Sequence, residues 1–344
     1  MSLTLHAPPP LIQDAEEIAR HHPHLTGHLF ATSGTTAQPK WILHSQEGLD
    51  WCADAVNRHL QCSSQDVWGL ALPQFHVGGY SLTLRAKRAG GTLASFTSKW
   101  NAPAFASWLQ EQRVTITSLV PTQLFDLVQS GIQSPANLRL VVIGGDRLRN
   151  DLWQKARELG WPLITSYGMT ETAGMIAISS LEPPLLIPLP DWNLSQNTDG
   201  LLTITGPGLF KGTLSREKLS PASSPFTTTD LVEITDNQLL IKGRADDQIK
   251  VLGELLDLQR LRKDLEQLLP DVNTTIIADT DERRGHRIFP VIEGPLNQKQ
   301  RKAILEWEAT LPPFCQLEQP LFIPNWPRTS LGKVNQLALR KLLP

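Results

Sequence analysis

The sequence predicts an α/β protein: a large N-terminal α/β domain with a mainly parallel sheet and a small β-region, then a small α+β C-terminal domain. Three observations predict it. Between residues 29 and 166, short apolar runs alternate with amphipathic stretches, the pattern of strands joined by crossover helices. After residue 181 the texture changes to brief apolar runs broken by turn residues. From Asp247 a further unit of small-domain size begins. The expected division is 1–245 and 246–344.

Residues 67–72, 116–120 and 138–143 are apolar runs short enough to be buried strands. In residues 45–61, Leu49, Cys52, Ala53, Val56 and Leu60 recur at helical spacing, and Ser45 can cap the first turn with its hydroxyl. Residues 148–159 read as another helix, ahead of a strand at 163–166. A proline-rich stretch at 182–190 leads into the β-region, with strand-like runs at 201–205, 231–235 and 239–242. In the last unit, 258–269 and 298–311 are helical by spacing. Strands at 274–278 and 287–292 flank a charged turn, 279–286, that contains Gly285.

The chain of 344 residues is too long for one ordinary core, and 40% of it is hydrophobic. A net charge of -2 gives no overall attraction to nucleic acid or anionic membrane. Cys52, Cys62 and Cys315 are too few and too scattered for a disulfide framework, and free thiols are expected. Residues 1–10 lack the basic start and apolar core of a secretory signal, and no run approaches the ~20 apolar residues of a membrane span. A soluble cytoplasmic protein without membrane insertion is expected. The ten tryptophans lack interleaved basic residues and read as core. His21, His22 and His24 could bind a metal, but adjacent histidines at a prolyl break more often sit on a solvated surface.

Five segments carry chemistry. The first runs Thr32-Ser33-Gly34-Thr35-Thr36-Ala37-Gln38-Pro39-Lys40. Hydroxyls around a glycine can converge on phosphate oxygens, and Lys40 adds charge, although such a cluster can also be a plain surface turn. It is no Walker A loop, because Pro39 and Trp41 stand where that motif needs Gly and a metal-binding hydroxyl. The second is Pro73-Gln74-Phe75-His76-Val77-Gly78-Gly79, whose glycines allow close backbone approach to a ligand. The third comprises Gly144-Gly145-Asp146 and Ser166-Tyr167-Gly168-Met169-Thr170-Glu171-Thr172, both following strands, where open α/β sheets bind ligands. The fourth is Thr229-Asp230 with Gly243-Arg244-Ala245-Asp246-Asp247, and the fifth Pro327-Arg328-Thr329-Ser330-Leu331-Gly332-Lys333.

Taken in this order, the segments resemble those of the adenylate-forming superfamily of acyl- and aryl-CoA synthetases, peptide-synthetase adenylation domains and luciferases. Within it, His76-Val77-Gly78-Gly79, Ser118-Leu119-Val120-Pro121-Thr122-Gln123-Leu124 and the Ser166 to Thr172 run are similar to the o-succinylbenzoate–CoA ligases of menaquinone synthesis. The resemblance implies an ATP-dependent ligase that uses Mg²⁺ and coenzyme A. It places Thr32, Ser33, Gly34, Thr35, Thr36 and Lys40 on the phosphates and His76 near the acyl carboxylate. Gly144, Gly145 and Tyr167 would line the adenine, Gly168 would belong to the nucleotide site beside them, Thr170 would lie by the phosphates, and Glu171 would hold the Mg²⁺. Asp230 would hold the ribose hydroxyls, Arg244 the ribose or α-phosphate, Asp246 the hinge, and Lys333 would be the adenylation lysine. Three departures stand out: Ala37 where the family has Gly, only 31 residues before Thr32, and a single glycine in Val251-Leu252-Gly253-Glu254 where the family has two. These leave open another acid, a carrier-protein thiol, or a nucleotide-binding homologue without catalysis.

Overall fold

The structure, a computed structural model, describes residues 2–32, 39–179, 185–329 and 334–344. The chain forms two compact units, one of Met1–Thr228 and Glu233–Ile241, the other of Thr229–Val232, Lys242–Thr329 and Val334–Pro344. No described helix is long and apolar enough to cross a membrane.

In the first unit the parallel part of an eleven-stranded sheet runs, in spatial order, Thr92–Ser95, Val67–Leu70, Ile116–Leu119, Leu140–Ile143 and Leu163–Met169. Ile116–Leu119 and Leu140–Ile143 are buried at every position, as strands covered on both faces must be. Helices Gln46–His59, Val77–Ala89, Ala102–Glu111, Pro121–Gln129 and Asn150–Glu158 accompany these strands. Ser45 caps the first of them by accepting the Gly48 N–H at 3.2 Å. Phe105, Leu109, Leu124, Leu127, Trp153 and Trp161 fill the core on this side.

The parallel arrangement covers only half of that sheet. Gly174–Ser179 pairs antiparallel with Leu163–Met169, and Leu185–Pro188 pairs antiparallel with both Gly174–Ser179 and Gln238–Arg244. Phe226–Thr235, Leu201–Thr205 and Asn193–Gln196 complete the order. The expected small β-region is therefore the antiparallel continuation of the main sheet. Its alternating burial, as in Leu201–Thr205, is that of strands with one wet face.

A second sheet was not foreseen. It has five strands in the order Leu3–His6, Gly27–Thr32, Lys40–His44, Gly212–Leu214 and Leu219–Pro221. Ala15 and Ile18 of helix Ile12–His21 pack on Leu29, Ala31, Trp41 and Leu43 from this sheet.

The second unit contains a hairpin of Gln248–Val251 and Glu254–Asp257, then helix Leu258–Leu268, which Asp257 caps by accepting the Gln259 N–H at 2.9 Å. Thr274–Asp281 pairs antiparallel with Gly285–Glu293, which pairs parallel with Leu321–Ile323. Helix Gln298–Glu308 is capped by Asn297. Leu261, Leu265, Ile276, Ile288, Ile292 and Ile304 form its core. The strands run further into the charged segment than expected. Asp279 lies opposite Arg287 in the ladder, and their charges find partners nearby, Arg287 with Asp281 (3.9 Å) and Asp279 with Arg340 (3.5 Å), so the charged residues do not break the pairing. The turn shrinks to three residues, fixed by the Asp281 carboxylate accepting N–H from Arg283 (3.0 Å) and Arg284 (2.7 Å).

Candidate active site

Two neighbouring parallel strands, Leu140–Ile143 and Leu163–Met169, end in the segments singled out by the sequence. Beyond Ile143 the backbone turns at Gly144 and Gly145, the latter at φ +85°, a left-handed conformation that a side chain would strain. The Gly144 N–H donates to the Leu119 carbonyl at 3.2 Å, and the Ser166 hydroxyl to the Ile143 carbonyl at 3.2 Å. A Cβ on Gly144 would stand 2.6 Å from that hydroxyl. The result is a bare backbone ledge beside the strand that carries Tyr167.

A register shift between Tyr167 and Gly168 follows, and Gly168 lies so close to the Gly174 carbonyl that no side chain fits. Thr170, Glu171 and Thr172 form a single 3-10 turn. The Thr172 hydroxyl accepts the Met169 N–H at 3.1 Å and donates to the Gly174 carbonyl at 2.7 Å. Gly144, Gly145, Tyr167, Gly168, Thr170 and Glu171 thus come from adjacent strand ends of one sheet.

Thr32 and Lys40 face each other at the open end of an antiparallel pair, and the Thr32 hydroxyl donates to the Lys40 carbonyl at 3.4 Å. Ser33, Gly34, Thr35, Thr36 and Ala37 between them lie outside the described residues, as does Lys333. His76 is half-buried at the N-cap of helix Val77–Ala89, its ring 4.7 Å from that of Phe75. The two glycines after it differ in purpose. A Cβ on Gly79 would collide with the Pro73 carbonyl, so this glycine serves packing within the segment and not approach to a ligand.

In the second unit, Arg244 gathers the other singled-out residues. It donates from Nε and Nη2 to both oxygens of Asp246 (2.9 and 3.0 Å), from Nη2 to the Thr229 hydroxyl (2.7 Å) and from Nη1 to Asp230 (3.4 Å). Hydrogen bonding to Asp246 holds the guanidinium above its ordinary pKa despite partial burial. Asp230 is only 7% exposed.

Sequence reasoning missed several histidines. His6 and His44 each end an apolar strand and His28 is the second residue of one, a signal visible in the sequence but shared with many core histidines. His6 Nε2 and His28 Nδ1 are hydrogen-bonded at 2.9 Å, and His28 Nε2 reaches Gln46 Oε1 at 2.7 Å. The His6 ring stacks on Phe30 (4.2 Å) and meets the Tyr80 ring edge-on (4.4 Å). Burial, then the His28 charge, pushes His6 down to about 4. His44 is fully buried, and burial likewise takes it to about 4. Its Nε2 lies 2.7 Å from the Thr170 carbonyl. Arg85, 4% exposed, was missed as well; its Nε donates to the Ser81 carbonyl at 3.0 Å and its guanidinium stands 5.9 Å from the Trp68 ring centre.

Other candidates resolve as structure. His21 Nδ1 and His22 Nε2 bond to the carbonyls of Glu17 (2.8 Å) and Ser215 (2.7 Å), and His22 is buried, not solvated. The three cysteines are free, and burial pushes the Cys52 thiol up to about 12. Trp68 and Trp161 are fully buried. Among the described residues no group of three or more His, Cys, Asp or Glu gathers to cage a metal. A single carboxylate such as Glu171, completed by a nucleotide's own phosphates, is the kind of arrangement in which Mg²⁺ is commonly held.

Residues 13–212 match the family model of AMP-binding enzymes, more than half of the chain. The chain belongs to this family. The 2-succinylbenzoate–CoA ligase of Staphylococcus aureus (strain JH9) is 26% identical over 290 residues, which are 80% of this chain and 59% of that protein. The enzyme of the same name from Listeria monocytogenes serovar 1/2a (strain ATCC BAA-679 / EGD-e) is 24% identical over 333 residues, 92% of this chain and 70% of that protein. The chain therefore spans about three fifths of the Staphylococcus relatives' length. O-succinylbenzoate coenzyme A synthetase (MenE) from Bacillus subtilis, in complex with AMP, has a similar structure, with TM-score 0.77 and 23% identity over 91% of this chain and 68% of that one. ATP-bound MatB from Rhodopseudomonas palustris gives TM-score 0.77 at 21% identity, covering 92% and 67%. What these structures establish for this member of the AMP-binding family is its fold.

Proposed function

We propose that this chain is an ATP-dependent carboxylate–CoA ligase acting on o-succinylbenzoate. In the first half-reaction the substrate carboxylate attacks the α-phosphorus of ATP, giving acyl-AMP and releasing pyrophosphate. In the second, the thiol of coenzyme A attacks the acyl carbon and AMP leaves. The observation that carries the reading is the convergence of the Gly144-Gly145 ledge and the Tyr167-to-Glu171 run at neighbouring strand ends. A flat backbone ledge beside an aromatic residue suits a purine, and a carboxylate four residues further, in the turn that follows, suits the cation that accompanies a triphosphate.

In this reading Gly144, Gly145, Tyr167 and Gly168 hold the adenine, and Thr32, Ser33, Gly34, Thr35, Thr36, Lys40 and Thr170 orient the phosphates. Asp230 and Arg244 take the ribose side, and His76 stands by the acyl carboxylate. Glu171 holds Mg²⁺, which when bound offsets the phosphate charge that the attacking carboxylate must approach. Lys333 supplies an ammonium as negative charge builds on the α-phosphate. Residues 1–245 act as the AMP-binding domain and 246–344 as a mobile domain that pivots at Asp246. The curated relatives that share this name and cover most of the chain support o-succinylbenzoate as the acid.

A second thiol acceptor, a carrier protein, is left open by a departure from the family. Leu252 occupies the first of two left-handed positions, φ +52° and +89° at Gly253, where the family has paired glycines. The leucine alters a surface that a pantetheine arm, whether of coenzyme A or of a carrier protein, would pass in this reading. The test is pyrophosphate release from ATP across a panel of aromatic and aliphatic acids, with and without coenzyme A. Release stimulated by o-succinylbenzoate, with thioester formed only when coenzyme A is added, is expected. No release with any acid would refute the reading, and adenylation without transfer to coenzyme A would move it to a carrier protein.

A further inference from the structure

The turn at 170–172 is held from behind at three successive carbonyls. The Thr170 carbonyl accepts from His44 Nε2 (2.7 Å) and from the Ala173 N–H (3.1 Å). The Glu171 carbonyl accepts the Phe210 N–H at 2.9 Å, and the Thr172 carbonyl the Cys52 thiol at 3.6 Å. These donors come from separate parts of the chain: the end of strand Lys40–His44, helix Gln46–His59 and residue 210. A thiol is a weak donor, and the Phe210 donor is backbone. His44 is the strong side-chain donor of the three.

The turn needs holding. Ala173 at φ +56° and Gly174 at φ +119° put consecutive residues in the left-handed region directly after it. A carbonyl can only accept, so Nε2 of His44 carries the proton and Nδ1 is left as an acceptor. Nδ1 is buried and has no partner among the described residues. A residue that merely filled this space would avoid an orphaned nitrogen. What the imidazole contributes is a donor of the right reach. His44 also ends the strand that Lys40 begins, so one short rigid element joins the run Thr32 to Lys40 to the turn bearing Thr170 and Glu171.

We propose that His44 is a positioning residue: its Nε2–H fixes the Thr170 carbonyl so that the Thr170 and Glu171 side chains are set for a Mg²⁺-bound nucleoside triphosphate. The inference rests on the nucleotide reading of this turn. It assigns His44 no contact with substrate.

The test compares His44→Gln with His44→Asn. Both carry an amide, but only the glutamine nitrogen reaches the place of imidazole Nε2. Asparagine should raise the Mg-ATP concentration for half-maximal pyrophosphate release about tenfold, the order expected when a part-buried carbonyl loses the shorter of its two hydrogen bonds. Half-saturation by the acid should stay within about twofold, and glutamine should stay within about threefold of wild type for both substrates. A purely structural role would depress both variants and both substrates together, and that result would overturn the proposal. If neither variant folds, ¹⁵N NMR of wild-type His44 decides: a proton on Nε2 supports the clamp, and a proton on Nδ1 refutes it. Calorimetric titration of wild type with Mg-ATP separates the two layers. Absence of binding there removes the nucleotide reading and the proposal with it, whereas binding with indistinguishable variants removes only the role of His44.

Discussion

The hairpin at Val251 to Glu254 offers a backbone experiment with an internal control. Leu252 (φ +52°) and Gly253 (φ +89°) occupy the two central positions of a two-residue turn, whose twist requires positive φ at both. A left-handed conformation costs a residue with a Cβ roughly 1–2 kcal/mol. Leu252 is 55% exposed, so its side chain returns little by burial, and its N–H keeps its 2.8 Å bond to the Arg284 carbonyl whatever the side chain. Replacing it by glycine removes the strain but adds about 0.5–1 kcal/mol of unfolded-chain entropy. Leu252→Gly should therefore stabilise the hairpin by about 0.5–1 kcal/mol. Gly253→Ala should do the reverse by about 0.5–1 kcal/mol, the backbone strain less the unfolded-chain entropy it saves, since a Cβ there would meet nothing within 4 Å. Native-state hydrogen exchange of the hairpin amides reads both, and 1 kcal/mol is roughly a fivefold change in protection. Loss of protection in Leu252→Gly would show that the leucine packs, and that φ is not what sets the stability of this turn.

Four further outcomes test the proposed chemistry and the buried charges. Lys333→Ala should lower acyl-AMP formation on the order of 100- to 1000-fold while sparing thioester formation from supplied acyl-AMP, and equal loss in both would remove its assigned role. Glu171→Gln should raise the Mg²⁺ requirement for pyrophosphate release, because a neutral amide is a poorer ligand for a hard cation; unchanged activity at limiting Mg²⁺ would count against it. Asp246→Pro, which fixes φ and cannot bond to Arg244, should uncouple the half-reactions; equal rates in both would show that no pivot is needed there. His6 has its pKa lowered in the folded state, from 6.5 to about 4, so the unfolded chain binds the proton first. The stability it contributes is present above pH ~6.5 and is lost as pH falls toward ~4. His6→Phe, stacking on Phe30, should flatten the slope of unfolding free energy over that window in denaturant titrations, and an unchanged slope would mean His6 does not drive it.

The sequence made local features legible and left distant pairings hidden. Helix Gln46–His59 and its Ser45 cap were readable because spacing and cap lie within one window. The buried parallel strands were readable as apolar runs. Strands Leu3–His6 and Gly212–Leu214 were not, since three or four residues show almost no period and their partners are far along the chain. That the antiparallel region continues the parallel sheet was hidden, because the chain reverses inside a motif, at the turn of residues 170–172, and leaves no periodic trace. At the site, glycines and carboxylates could be named from their order, but Gly79 was misread: its tight neighbour is the Pro73 carbonyl of its own segment. His44 bonds to a carbonyl 126 positions away, a relation that residue type alone does not announce.

The Gly79 contact also constrains how this chain could be re-engineered. Because the Pro73 carbonyl rests against the first turn of helix Val77–Ala89, the loop and that turn behave as a single moulded piece. Exchanging the loop for a relative's, without its own helix start, would force a side chain into the space the carbonyl fills or open a gap beside it. The transferable module is residues 73–89 as a block. Its seam belongs at Gly90, which already closes the helix in a left-handed conformation at φ +69°.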